Sequence, residues 1–101
     1  MNKQTYKLYR GNDLLGTIIH TKIDMPWHWG TFEPTEHFDA VKPLFEQEIQ
    51  LLDTLDSNSQ KWHENWAQIT KPGLRLVSEQ DNQQITDLLI NIDGSEVWWR
   101  C

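Results

Sequence analysis

Residues 24 to 34 read Asp24-Met25-Pro26-Trp27-His28-Trp29-Gly30-Thr31-Phe32-Glu33-Pro34, and we name this segment the Trp loop. A strand-like pattern ends before it and a helix-like pattern begins after it. Each proline fixes its own φ angle and favours extended geometry in the preceding residue, whereas Gly30 lets the backbone turn. The sequence therefore predicts a loop that either is seated in the core through its aromatic rings or forms the edge of a binding site.

Length and composition predict one domain that spans residues 1–101. The hydrophobic fraction of 38% is modest, but six tryptophans compensate because a buried indole covers far more area than an aliphatic side chain. Cys101 is the one cysteine, so a disulfide framework and a cysteine-based zinc site are excluded. No apolar run reaches the roughly 20 residues of a membrane helix, and the N-terminal region lacks a secretory apolar core. We expect a cytoplasmic protein.

The charge of the chain restricts its partners. It contains 9 basic and 15 acidic residues, which gives a net charge of −6. A nucleic-acid partner is disfavoured because such binding needs a cationic face, and an anionic membrane surface is disfavoured for the same reason. The acidic balance would suit a basic protein partner.

Turn signals and apolar spacing predict the first half of the chain. Gly11-Asn12 predicts a two-residue hairpin loop that pairs Arg10 with Asp13, Leu8 with Leu15 and Tyr6 with Thr17. Thr35 is a plausible N-cap for a helical stripe that Pro43 interrupts, and we favour a break into two helices there. Ser57 and Gln60 form a capping-box pattern for the next helix, which ends at Lys71-Pro72-Gly73.

The last third of the chain predicts a meander of three strands, at 74–80, 85–92 and 96–100. A two-residue turn at Asp93-Gly94 pairs Ile90 with Val97 and Leu88 with Trp99 on an apolar face. An odd-length loop at 81–83 then places Leu74 and Leu76 against Ile90 and Leu88. The predicted order is β-β-α-α-β-β-β, an α+β fold in which the helices pack on one face of an antiparallel sheet.

Few residues are candidates for metal binding or catalysis, and none is predicted to be catalytic. His20, Asp24, His28, Glu33 and His37 are metal-ligand types within a short stretch, but their spacing matches no fixed metal motif. We favour a structural role for them. The alternative is a small metal-assisted hydrolase with its site between the Trp loop and the following helix, using His28, Glu33 or His37. Nothing in the sequence indicates a cofactor.

Two groups of residues are candidates for binding. Trp27 and Trp29 share one side of an extended segment, so they could form a platform for a sugar or a cation, although we favour burial. On the sheet face away from the helices, tryptophan and arginine are combined, and these residue types are enriched at interface hot spots. The residues of that outer face are Arg75, Leu89, Trp98 and Arg100.

Several segments together resemble a family of small bacterial proteins of unassigned function. They are Leu15-Gly16-Thr17-Ile18, the Trp loop with Thr35, Pro72-Gly73-Leu74-Arg75-Leu76, and Ile92-Asp93-Gly94 followed by Trp98-Trp99-Arg100. The resemblance covers nearly the whole chain and implies a bacterial source. It implies no activity, cofactor or catalytic residue.

These observations favour a non-enzymatic interaction or regulatory module that binds another protein, as a monomer or a homodimer. The binding region would be the outer sheet face or the Trp loop. One concrete version is an immunity-like protein whose acidic surface masks a basic toxin or nuclease.

Overall fold

The computed structural model describes residues 4–100, which form seven strands and three helices. The strands are β1 (Thr5–Arg10), β2 (Asp13–Asp24), β3 (Trp27–Pro34), β4 (Leu74–Ser78), β5 (Gln84–Ile85), β6 (Leu89–Asp93) and β7 (Glu96–Arg100). The helices are a 3₁₀ helix (Glu36–Ala40), α1 (Lys42–Asp53) and α2 (Leu55–Thr70). All strands belong to one curled antiparallel sheet in the order β5-β4-β1-β2-β3-β7-β6. The predicted α+β class is confirmed.

The first hairpin forms as expected at its turn and shifts beyond it. Arg10 pairs with Asp13, but Leu8 pairs with Gly16 and Tyr6 with Ile18. A β-bulge between Leu8 and Tyr9 causes the shift, because it leaves Leu15 as an extra residue on β2. The predicted pairs Leu8–Leu15 and Tyr6–Thr17 are therefore wrong.

Most of the Trp loop is a strand rather than a loop. β3 pairs with β2 on one side and with β7 on the other. The turn is confined to Met25 and Pro26, which are joined by a cis peptide bond, and Pro34 is the last residue of the strand. The two prolines thus bracket an extended run instead of opening a loop. Gly30 lies inside that run, where a Cβ atom would come within 2.6 Å of the Ile19 carbonyl oxygen.

The helices follow the sequence signals except at the start of α2. The Thr35 hydroxyl accepts from the His37 amide at the start of the 3₁₀ helix, and Pro43 opens α1 after a break. The expected capping box at Ser57 is not the start of α2, which begins at Leu55 and kinks at Asn58. Gly73, three residues after the helix ends at Thr70, has a φ of +96°, a conformation that favours glycine.

The predicted C-terminal meander is wrong in its strand order. β4 pairs with the two-residue β5 through Leu76 and Ile85, and not with β6. The chain then crosses to the opposite edge of the sheet, where β6 pairs with β7. The tight turn also lies further along, with Asp93 opposite Glu96. Because this register differs from the expected one by two residues, the side chains keep their faces.

The core lies on the inner face of the sheet and is covered by the helices. Phe38 of the 3₁₀ helix, Phe45 of α1 and Ile69 of α2 join the buried strand residues. Those strand residues are Tyr6, Leu8, Leu15, Ile18, Phe32, Leu74, Leu76, Ile90, Ile92, Val97 and Trp99. Helix α1 also runs beside the edge strand β6. Between residues 4 and 100, no helix is long and apolar enough to cross a membrane.

Candidate functional site

Three tryptophans lie together on the outer face of the sheet. Trp29 on β3 is opposite Lys22 on β2 and opposite Trp98 on β7. Trp27 lies two residues before Trp29 on the same side of β3, and Arg100 and Leu89 are opposite each other at the neighbouring positions of β7 and β6. We name these six residues the outer aromatic surface: Lys22, Trp27, Trp29, Leu89, Trp98 and Arg100.

The indole rings of this surface are covered in part by the chain itself. Trp29 and Trp98 stack with their ring centroids 5.4 Å apart. The Lys22 ammonium lies 5.5 Å from the Trp29 ring centroid, and the Arg100 guanidinium lies 5.4 Å from that of Trp27. All three tryptophans are half-buried. Trp27 and Trp29 are thus neither a plug in the core nor an open platform, and their ring faces already contact cations.

Exposed aliphatic side chains adjoin this surface at the tip of the β2–β3 hairpin. Ile23 is 56% exposed and Met25 is 75% exposed, and they flank the turn that leads to Trp27. The free energy falls when another surface covers large apolar side chains that are this exposed. Ile23 lies opposite His28 and shares its side of the hairpin, so the tip offers apolar side chains next to the outer aromatic surface rather than as part of it.

A groove connects the outer aromatic surface to helix α2. Trp62 and Trp66 stack with their ring centroids 5.8 Å apart and form one wall. Leu89, Arg100 and Pro26 of the hairpin turn also line this groove, which is open to solvent and has a volume of ≈ 550 Å³. Trp62 and Trp66 are one helical turn apart on α2. Both are half-buried, and although Trp66 packs against the core, both rings also line this groove.

A buried polar network lies beneath the junction of the groove and the outer aromatic surface. The Trp62 indole nitrogen donates to Glu48 Oε2 at 2.8 Å. With its amide oriented to match both neighbours, Asn91 donates to the two Glu48 oxygens at 2.8 and 3.0 Å and accepts from the Trp98 indole nitrogen at 2.8 Å. Glu48 is completely buried, and Asn91 is 1% exposed. The network thus joins α1, α2, β6 and β7.

The environment of Glu48 opposes its ionisation. Burial raises the pKa of Glu48 to about 7, although the hydrogen bond from Trp62 lowers it. The carboxyl group therefore exchanges its proton near neutral pH. Sequence reasoning missed Glu48, yet a signal existed: it is three residues after Phe45 and three before Leu51, on the buried stripe of α1.

Arg75 does not belong to this site. Strands β1, β2 and β3 lie between β4, which carries Arg75, and β7. The Arg75 guanidinium lies 4.5 Å from the Tyr9 ring centroid and donates to the Gly11 carbonyl oxygen at 2.8 Å. The expected grouping of Arg75 with Leu89, Trp98 and Arg100 is therefore wrong, because it depended on the incorrect meander.

The residues of the alternative metal site are not brought together. His28 points to the inner face beside Trp99, whereas Glu33 is exposed five residues further along β3. His37 is exposed, and its nearest acidic partner is Asp13 at 4.0 Å. In the described part of the chain, no group of three His, Cys, Asp or Glu side chains could hold a metal ion.

A pocket of ≈ 290 Å³ does lie where that alternative placed its site, between the end of β3 and the first helices. Its floor is formed by Phe32, Phe38 and Phe45, and its charged residues are Asp39, Lys42 and Glu46. None of the three residues His28, Glu33 and His37 lines this pocket. The pocket therefore lacks the imidazoles on which the hydrolase hypothesis depended.

His28 instead pairs with His20 inside an aromatic cluster. The nitrogen atoms His28 Nδ1 and His20 Nε2 are 3.3 Å apart, and His20 Nε2 is 3.1 Å from the Lys22 carbonyl oxygen. Burial and the neighbouring His28 lower the pKa of His20. Both imidazoles pack against the Trp99 ring, with centroids 5.5 Å from it.

Comparison of the chain with protein-family models, with curated protein sequences and with solved structures found no match.

Proposed function

We propose that this protein is a non-enzymatic interaction module that binds another protein through the outer aromatic surface and the adjoining hairpin tip. The observation that carries the proposal is the grouping of three half-buried tryptophans with Arg100 on one face of the sheet, next to a hairpin tip that exposes Ile23 and Met25. Tryptophan and arginine dominate interface hot spots, and exposed aliphatic side chains beside them supply apolar area.

A protein partner is favoured over a sugar or a small cation. A sugar ring needs an open indole face, but Trp29 is covered by Trp98 and Lys22, and Trp27 is covered by Arg100. A protein can use ring edges, the aliphatic hairpin tip and the groove beside α2 at the same time. Such a mixed apolar and polar surface is typical of non-obligate interfaces.

We infer the chemistry of the partner from the charge of the whole chain, since the charged members of the outer aromatic surface itself are Lys22 and Arg100. A net charge of −6 favours association with a basic protein, because complementary charge increases the rate of encounter and disfavours partners of like charge. An immunity-like role, in which the chain covers a basic toxin or nuclease in a bacterial cytoplasm, is the specific version of the proposal. The chain would act in it as a monomer.

The test is affinity capture with matched variants. The double variant Ile23→Ser/Met25→Ser removes apolar area at exposed positions, and the control Leu55→Ser changes a side chain on α2 that is 40% exposed. We expect the wild type and the control to retain one basic protein from the source cell. The double variant should bind that protein, once purified, at least about tenfold more weakly.

Two results would contradict the proposal. One is a captured protein that binds all three forms with equal affinity. The other is a concentration-dependent dimer of the wild type that the double variant abolishes, since the surface would then serve a second copy of the chain.

A further inference from the structure

The buried network around Glu48 contains one side chain that can change its charge and one amide whose hydrogen-bond donor and acceptor can exchange places. Glu48 is the titratable member, and it is completely buried. Asn91 contacts Glu48 on one side and the Trp98 indole on the other. An amide presents a donor on one side and an acceptor on the other, so rotating it by a half turn exchanges the two.

We propose that Glu48 and Asn91 form a proton-operated switch that controls how Trp98 of the outer aromatic surface is held. The ionised form of Glu48 can only accept hydrogen bonds. It accepts from Trp62 and from the Asn91 amide nitrogen, which leaves the Asn91 oxygen to accept from Trp98. In this state Trp98 is anchored to β6.

Binding of one proton from water reverses this arrangement. The protonated carboxyl group has an O–H that needs an acceptor, and the Asn91 oxygen is the acceptor within the network. Asn91 must then rotate, which turns its amide nitrogen toward the Trp98 indole N–H. Two donors cannot bond, so Trp98 loses its anchor. When the carboxyl group gives up its proton to water, the first arrangement returns.

Among the described residues, no charged neighbour forms an ion pair that would fix the protonation state of Glu48. The titratable side chains on the helices beside it are all exposed: Lys42, Glu46 and Asp53 on α1, and Asp56, Lys61, His63 and Glu64 on α2. Those on the strands are exposed as well: Asp93 on β6, and Glu96 and Arg100 on β7. Within residues 4–100 none of them forms an ion pair with Glu48. Burial therefore decides the balance, and it brings the pKa of Glu48 to about 7, where both states are populated.

The switch would act on the surface that we propose as a binding site. Trp98 stacks on Trp29, so releasing its indole changes the geometry of two of the three tryptophans. The inference stands on the network itself and holds whether or not that surface binds a protein. Its test needs no partner.

Nuclear magnetic resonance of the full chain tests it, following the indole N–H signals and the Glu48 side-chain carboxyl carbon from about pH 5 to about pH 9. We expect the Glu48 carbon and the Trp62 and Trp98 indoles to share one titration midpoint. Glu48→Gln should abolish the titration of both indoles. Trp99 is an internal control, because its ring packs against Tyr6, His20 and His28 and its signal should be the same in the wild type and in Glu48→Gln.

A second variant separates the switch from a general effect of pH. Asn91→Leu removes the amide that connects Glu48 to Trp98. The Trp62 indole should therefore still titrate with Glu48, whereas the Trp98 indole should no longer do so. The proposal is overturned if the Trp98 indole titrates unchanged in either variant. It is also overturned if, in the wild type, Trp98 and the Glu48 carbon have different midpoints or Trp98 does not titrate. The wild-type comparison decides the matter even if both variants fail to fold.

Discussion

Trp98 and Trp99 are consecutive residues in different environments. Trp99 is 1% exposed and packs against Tyr6 and His28, whereas Trp98 is half-buried on the other face. Alternation along a strand is sufficient to separate them. The sequence predicted this assignment correctly, because a register error of two residues leaves each side chain on its own face.

The first prediction concerns these two tryptophans. Trp99→Ala should lower the free energy of unfolding by about 3–5 kcal/mol, because it empties a core site. Trp98→Ala should cost less, roughly 1–2 kcal/mol, because the indole is part-exposed and loses mainly one hydrogen bond and one ring stack. Urea denaturation of the wild type and the two variants measures both values. Equal losses would show that Trp98 is as important to the core as Trp99.

At the scale of single elements, the β2–β3 hairpin supports the site. It carries Lys22, Trp27 and Trp29, and its exposed tip adds Ile23 and Met25. The sequence showed where this segment lies and which residues share a side, but it indicated a loop. Prolines and a glycine are common turn residues, and nothing local revealed that β7 would pair with the segment and hold it extended.

The second prediction tests the close packing of this hairpin. Gly30→Ala should lower the free energy of unfolding by roughly 1–3 kcal/mol, because the new Cβ atom would meet the Ile19 carbonyl oxygen at 2.6 Å. Thr31→Ala, on the exposed face of the same strand, is the control and should change it by about 0.5 kcal/mol or less. Thermal and urea unfolding provide the values. If the segment were a flexible loop, the two variants would be equally mild.

At the scale of the whole molecule, the sheet order creates the site. The chain leaves β5 at one edge of the sheet and forms β6 and β7 at the other, which brings Trp98 and Arg100 beside the β2–β3 hairpin. Arg75 is excluded for the same reason, since β4 stays near the first edge. The candidate surface therefore depends on a pairing between strands that are far apart in sequence.

The third prediction tests that pairing by cross-linking. In a Cys101→Ser background, Thr31→Cys and Glu96→Cys occupy directly opposed positions of β3 and β7. Opposed residues of this kind have Cα atoms about 4.5–5.5 Å apart, within the range that a disulfide spans. We expect mild oxidation to form an intramolecular disulfide. The pair Leu74→Cys and Ile90→Cys, which a C-terminal meander would place opposite each other, should remain reduced; the opposite outcome would disprove the sheet order.

By itself the sequence determined the α+β class, the hairpin turn at Gly11-Asn12, the helix break at Pro43 and the sides of the strands on which most apolar residues lie. These features depend on periodicity, capping and turn chemistry, which act between residues close in the chain. Only the tertiary structure decided that the Trp loop is a strand, that β7 pairs with β3, and that Glu48 meets Asn91. Those contacts join segments distant in sequence, and several strand orders satisfy the same local pattern, so the packing of the whole chain selects among them.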